Sequence, residues 1–168
     1  MEIQVVSKSS SLGDAQELNA IRILGHQLPA SYRKFSAAFG YGRLGGLVII
    51  YSGDPIHPDS VIIQGGRVKS FIDEAISEDY FEFRPASDER RIGNLYPFAA
   101  SENGEYFAWD LNSGEEGEYL IYCIGARMAG LRYAARSLDE LFDKLCGDSI
   151  RGVMGPGYKP LPRTFEGL

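Results

Sequence analysis

The chain has 168 residues, 44% of them hydrophobic, with 17 Lys+Arg against 23 Asp+Glu for a formal net charge of −6. That length suits one globular domain, and the hydrophobic fraction excludes a disordered chain. The acidic balance argues against a general nucleic-acid binder, which needs cationic side chains to displace counterions. The longest apolar run, Leu47 to Tyr51, is far too short to span a bilayer, and Met1-Glu2-Ile3-Gln4 opens no signal peptide, so a cytoplasmic, membrane-free protein is expected. Cys123 and Cys146 read as buried free thiols of a reducing compartment, and with His26 and His57 they share no metal-ligand spacing. No metal and no cofactor are expected.

Residues 1–13 read as a loose lead-in. Asp14 is the expected N-cap of a first helix from Ala15 to Leu24, with Leu18, Ile21 and Leu24 as its apolar stripe and Gly25 as its stop. Pro29 fits the first position of a second helix whose face carries Tyr32, Phe35 and Phe39, ended by Gly40 and Gly42. Leu47 to Tyr51 is a buried strand, and Ser52-Gly53-Asp54-Pro55 a turn. Val61-Ile62-Ile63 reads as a short strand or loop, broken by Gly65-Gly66 before a third helix over 68–79. Residues 84–94 form a polar connection.

The second half predicts an antiparallel meander. Leu95 to Ala100 is a strand in which Pro97 favours an edge or a bulge. Glu102-Asn103-Gly104 is a hairpin turn. Along Glu105 to Asp110, Phe107 and Trp109 share one face, which favours the core, and Tyr106 and Ala108 the other. Strands over 118–125 and 130–134 follow, then a closing helix with Ser137 and Glu140 as a capping box. Residues 14–146 make up the expected domain, and 147–168 an irregular Gly/Pro-rich tail. The fold class is α+β: two N-terminal helices, a mostly antiparallel sheet with an inserted helix, and a closing helix.

No catalytic constellation stands out. Gly40-Tyr41-Gly42-Arg43-Leu44-Gly45 matches a phosphate-loop pattern, but it follows a helix and precedes a strand, the reverse of what backbone N–H groups at a helix start require. Gly147-Asp148-Ser149 and Asp54-Pro55-Ile56-His57 have the residue types of a serine esterase in the wrong chain order. Paired carboxylates lie on solvated turns, where nothing separates their acidities as general acid work needs.

Charge placement is more informative. Asp73, Glu74, Glu78, Asp79 and Glu82 lie in 73–82 without a basic residue. Glu102, Glu105, Asp110, Glu115, Glu116 and Glu118 lie in 102–118, again without one, interleaved with Tyr106, Trp109 and Tyr119. Such segments are either solvated faces or an acidic docking surface for a basic protein, with Tyr106 and Tyr119 as candidate anchors.

Three blocks resemble the SUKH superfamily, named for the yeast cell-wall-synthesis regulator and its bacterial relatives. The first is Leu28-Pro29-Ala30-Ser31-Tyr32-Arg33-Lys34-Phe35 with its glycine stop. The second runs from Tyr96-Pro97-Phe98-Ala99 through Gly104 to Asp110. The third is Ala135-Arg136-Ser137-Leu138-Asp139-Glu140-Leu141-Phe142. Together they cover roughly 14–146, and the apolar Ile121-Tyr122-Cys123-Ile124 segment departs from the family pattern. The resemblance implies a non-enzymatic binding domain. Many bacterial members are immunity proteins, so the expected partner is a basic protein toxin, a nuclease, bound stoichiometrically through Asp73, Glu74, Glu78, Asp79, Glu102, Glu105, Tyr106, Glu115, Glu116, Glu118 and Tyr119. The alternative is a regulatory or scaffold interaction domain of the cell-wall-regulator type.

Overall fold

A computed structural model describes residues 2–82 and 87–168. In chain order the elements are β1 (Gln4–Ser7), α1 (Ala15–Ala20), β2 (Arg22–Ile23), β3 (His26–Gln27), α2 (Ala30–Ala38), β4 (Gly42–Leu44), β5 (Val48–Ile50), α3 (Ile63–Ser77) and α4 (Ser87–Ile92). Then come β6 (Leu95–Ser101), β7 (Tyr106–Asp110), β8 (Ile121–Ile124), β9 (Leu131–Ala135), α5 (Leu138–Leu145), α6 (Ile150–Met154) and β10 (Thr164–Gly167). The α+β class holds. Eight strands form one sheet in the order β1-β10-β4-β5-β6-β7-β8-β9, antiparallel throughout except for the β1–β10 pair. β2 and β3 form a separate two-stranded hairpin.

Strand alternation divides the sheet into two covered faces. Phe107 and Trp109 point to the α2 side. There Trp109 stacks on Phe98 with ring centroids 4.5 Å apart, and the Tyr32 ring meets Trp109 edge-on at 5.1 Å. Both strand residues are fully buried, which places them in the core as their shared face suggests. The Tyr32 hydroxyl donates to the Tyr51 carbonyl at 2.7 Å, so the largest ring on α2 is buried without an orphaned polar atom. The opposite face carries α3 and α4. Arg91 of α4 lies over the Tyr122 ring at 4.7 Å and reaches Asp110 at 3.4 Å.

Several local expectations change for identifiable reasons. The first helix stops at Ala20 instead of running to Leu24. Asp14 caps it as expected, accepting from the Gln16 and Glu17 N–H groups at 3.0 Å, but Ile21 turns extended and the chain enters the β2–β3 hairpin. Ile21 and Ile23 are thereby both buried, while Leu24 sits exposed at the hairpin tip. Pro29 lies one residue before α2, as its N-cap. Gly65 and Gly66 do not break the chain: α3 begins at Ile63 and runs through them, and Val61 to Ile63 form no strand. A Cβ on Gly65 would come within 2.8 Å of the Pro97 carbonyl and the Tyr96 ring, so the glycine lets the helix approach β6 closely. Pro97 is not on an edge strand. It sits inside the sheet, where the register shift between Pro97 and Ala99 supplies the bulge that tolerates its missing N–H. Within the expected polar connection α4 occupies Ser87–Ile92, and residues 84–86 lie outside the described residues.

The lead-in and the tail also differ from expectation. Part of each is strand: β10 from the tail lies between β1 from the lead-in and β4, and it buries Phe165 against Phe35 and Phe39. α6 buries Ile150, Val153 and Met154. Ile150, Val153 and Met154 carry one turn of helical spacing, but Phe165 stands alone with no alternating neighbours. β10 is ordered by pairing with residues about 120 to 160 positions away, which no local pattern reports.

Candidate partner-binding surface

The candidate acidic residues fall into two groups. In the first, each carboxylate is occupied within the fold. Asp73 pairs with Lys69 at 2.7 Å along α3. Glu102 pairs with Arg43 at 2.8 Å, and Glu166 holds the same guanidinium at 2.8 Å. Glu105 is buried, accepting from the Ser101 and Tyr158 hydroxyls. Glu118 is half-buried and accepts from the Ser31 N–H at 2.6 Å and the Ser31 hydroxyl at 2.8 Å.

Glu118 acts as a cap supplied from outside the helix. Pro29 offers no side-chain acceptor to α2, so its first N–H groups need partners elsewhere. The Gly117 carbonyl accepts from Ala30 at 3.0 Å, and the Glu118 carboxylate takes Ser31. A carboxylate there is also favoured by the positive end of the helix. Burial pushes the Glu118 carboxyl above its ordinary value, and the Ser31 hydrogen bonds offset only part of that. The Tyr119 hydroxyl donates to the Gln27 carbonyl at 2.9 Å and its ring meets His26 edge-on, so this candidate anchor clasps the β2–β3 hairpin.

In the second group, Glu74, Glu78, Asp79, Glu115 and Glu116 are exposed, and none of them forms an ion pair among the described residues. The fold does not gather these five together. In a meander, successive turns alternate between the two ends of the sheet. The 102–105 and 125–130 turns share one end, and the 111–120 loop between β7 and β8 lies at the other. The chain leaving α3 reaches the first end, where the Glu82 N–H donates to the Met128 carbonyl. Glu78 and Asp79 therefore lie toward one end and Glu115 and Glu116 at the opposite one.

The β7–β8 loop borders a cleft of about 770 Å³ facing the start of α5. Glu115, Glu116 and Glu118 line one wall, and Arg136 and Ser137 the other. The loop is braced where it leaves and re-enters the sheet. The Ser113 hydroxyl donates to the Asp110 carbonyl at 2.7 Å and accepts from the Leu120 N–H at 3.1 Å. Gly114 has φ +99°, and a Cβ there would collide with the Glu118 carbonyl, so only glycine fits this turn.

The residues that resemble parts of a serine esterase lie in separate elements among the described residues. Ser149 stands at the N-terminus of α6 in the turn after α5. His57 spends its Nδ1 accepting from the Asp59 N–H at 3.0 Å. Burial pushes the Cys123 thiol up to about 12 and raises Cys146 as well, so neither is a thiolate at neutral pH. Among the described residues no group of three or more His, Cys, Asp or Glu is arranged to hold a metal ion. No helix among them is long and apolar enough to cross a membrane.

A protein-family model described as SMI1 / KNR4 family (SUKH-1) matches residues 14–144. The chain belongs to the SUKH-1 family. No curated protein and no solved structure matches it. The match ends at the close of α5, so in this SUKH-1 chain α6 and β10 lie beyond the matched segment although β10 is an interior strand. The match takes in α2, the meander and the capped α5, the elements that bear the resemblance blocks. Sequence reasoning passed over Arg43, which pairs with both Glu102 and Glu166, and the Tyr41 and Tyr51 rings that join the candidate anchor Tyr106 around the pocket beside it. The tyrosines flanking the Gly40–Gly46 run were the available signal, but their convergence depends on strand register.

Proposed function

We propose that this SUKH-1 chain is an immunity-type protein that neutralises a basic nuclease toxin by stoichiometric binding and turns over no substrate. The observation that carries the reading is the pair Glu115 and Glu116. They are exposed carboxylates without an ion pair among the described residues, on a loop that Glu118, Ser113 and Gly114 brace, and they line the cleft of about 770 Å³. A braced anionic loop loses little conformational freedom on docking. With the net charge of −6 it steers a cationic partner, an effect worth about 10- to 1,000-fold in association rate at low salt. Family membership supports the same reading, since immunity proteins occur within the family.

The test uses a basic nuclease toxin domain, sought first in the genes adjacent to the one that encodes this chain. A 1:1 complex that abolishes nuclease activity supports the proposal. Full nuclease activity in the presence of saturating chain refutes it, and a complex that leaves the nuclease active points to a scaffold role instead. Glu115→Lys with Glu116→Lys is expected to slow association about tenfold or more at low salt and to flatten its salt dependence. Glu74→Lys with Glu78→Lys, on and just after α3, is expected to change it far less. Equal effects from both pairs would remove the assignment to the β7–β8 loop.

A further inference from the structure

The α3 face of the sheet carries a second pocket, of about 250 Å³, that the acidic loop does not touch. It lies where α3 leaves β5 and the start of β7 uncovered. The Tyr41, Tyr51 and Tyr106 rings line it, together with Asp59 and Gln64. The Tyr51 side chain is almost wholly buried, at 3% exposure, yet its hydroxyl has no hydrogen-bond partner among the described residues. The Gln64 Oε1 is likewise buried and without a partner. Gln64 lies near enough to Tyr51 to oppose the effect of burial on its acidity, but the two groups do not meet in hydrogen-bond geometry. Two buried polar atoms without a protein partner in one pocket are available to whatever enters it, water or a ligand.

The groups present select the charge of that ligand. Asp59 offers a carboxylate, one oxygen of which accepts from the Tyr41 hydroxyl at 2.9 Å. Gln64 offers a carbonyl oxygen, and the three rings offer π faces. No lysine or arginine lines the pocket. The neighbouring Arg43 is held by Glu102 and Glu166, so with Asp59 the surroundings carry an excess of negative charge. Burial and the Asp59 carboxylate push the Tyr41 phenol up to about 12, so it stays a neutral donor. Aromatic faces beside a carboxylate and a carbonyl oxygen suit a cation and disfavour an anion. The volume accommodates the end of one long side chain and little more.

We propose that this pocket is a socket for one alkylammonium or guanidinium head, presented by a lysine or arginine side chain of the protein partner. The assignment rests on the reading of the chain as a binder of a basic protein. It adds the anchor point, separate from the steering loop. The head group sits among the Tyr41, Tyr51 and Tyr106 rings and donates to Asp59, to the Gln64 Oε1 and to the Tyr51 oxygen.

The test begins with the isolated chain and small probes, so it does not depend on a toxin. In an NMR titration, n-butylammonium and N-ethylguanidinium are expected to shift the Tyr51 ring and Gln64 side-chain amide signals saturably, and n-butanol is not. Asp59→Asn is expected to weaken the cations about tenfold. Tyr51→Phe, which keeps the ring, should weaken them by a smaller factor. Equal shifts from n-butanol, or an unchanged affinity in Asp59→Asn, overturn the socket. A blocked Gly-Lys-Gly peptide should bind like the free amine. If only the free amine binds, the assignment to a protein side chain is overturned. Intact toxin capture with no probe binding would remove the socket alone, and probe binding with no toxin capture would remove the immunity reading alone.

Discussion

Glu118 links the fold to the proposed surface, and replacing it tests that link. Glu118→Ala removes an acceptor from the Ser31 N–H and another from its hydroxyl, at 2.6 and 2.8 Å. Hydrogen bonds to a charged group contribute about 1.5–3 kcal/mol each, so roughly 4 kcal/mol is at stake before offsets. Two offsets act. The raised pKa fits a carboxylate that burial already penalises, and alanine relieves that penalty. The site is also half open, so water replaces part of what is lost. The hydrogen bonds still win, because the Ser31 N–H at the start of α2 has no other acceptor within the helix. The net cost is expected to be about 2 kcal/mol, read by urea unfolding at neutral pH, or about 4–8 °C in Tm for a chain of this size. Glu118→Gln keeps one acceptor and should cost less. It also isolates the pH effect. The folded chain holds this proton more tightly than the unfolded chain does, so the proton-linked part of the Glu118 contribution falls as pH rises through the unfolded-state value and is gone above the folded-state value, where only the hydrogen bonds of the carboxylate remain. The stability of the wild type relative to Glu118→Gln should therefore rise on acidification from neutrality. A Glu118→Ala variant within about 0.5 kcal/mol of wild type, or a wild type that loses ground to Glu118→Gln on acidification, would refute the reasoning.

Ser137→Ala should cost about 1 kcal/mol in urea unfolding, because Ser137 caps the Glu140 N–H at 3.2 Å. The Arg136 N–H donates to Glu140 and lowers its pKa, so that stabilisation is present above the unfolded-state value and lost as pH falls through the folded-state one. Glu140→Gln should flatten this acid-side loss. Gly65→Ala should destabilise by about 1–3 kcal/mol in thermal unfolding, since its Cβ meets the backbone of Pro97. Truncation after Gly147 removes four buried side chains, Ile150, Val153, Met154 and Phe165, each contributing about 1.5–3 kcal/mol. That sum matches the whole stability of a typical domain, so the truncated chain should show no cooperative unfolding transition by circular dichroism.

What the sequence made legible is what neighbouring residues decide. The Asp14 cap, the Ser137–Glu140 box, the Tyr32–Phe35 stripe and the alternation through Phe107 and Trp109 all rest on spacings of two to four residues, and each is present. The errors share a different cause. Gly65-Gly66 has poor helix propensity, but contact with Tyr96 and Pro97 favours a helix there. Leu24 continues a helical stripe, yet a hairpin buries Ile21 and Ile23 just as well and turns the chain toward α2. β1 and β10 are short, and their place in the sheet depends on each other and on β4, so neither segment looks like a strand on its own.

The candidate surface shows the same division more sharply. Nine carboxylates look alike in sequence, and their fates depend on partners elsewhere in the chain: Ser101 and Tyr158 for Glu105, Ser31 for Glu118, Arg43 for Glu102, Lys69 for Asp73. Acidic composition therefore overstated the docking surface, because it cannot tell a charge already used by the fold from one left for solvent or a partner. The division also makes the binding experiment readable. Glu74, Glu78, Asp79, Glu115 and Glu116 hold nothing within the described residues, so reversing their charge should leave stability within about 0.5 kcal/mol. A slower association in those variants then reports the encounter itself. The same substitution at Glu105 or Glu118 would mix recognition with unfolding, and so could not distinguish a steering surface from a broken loop.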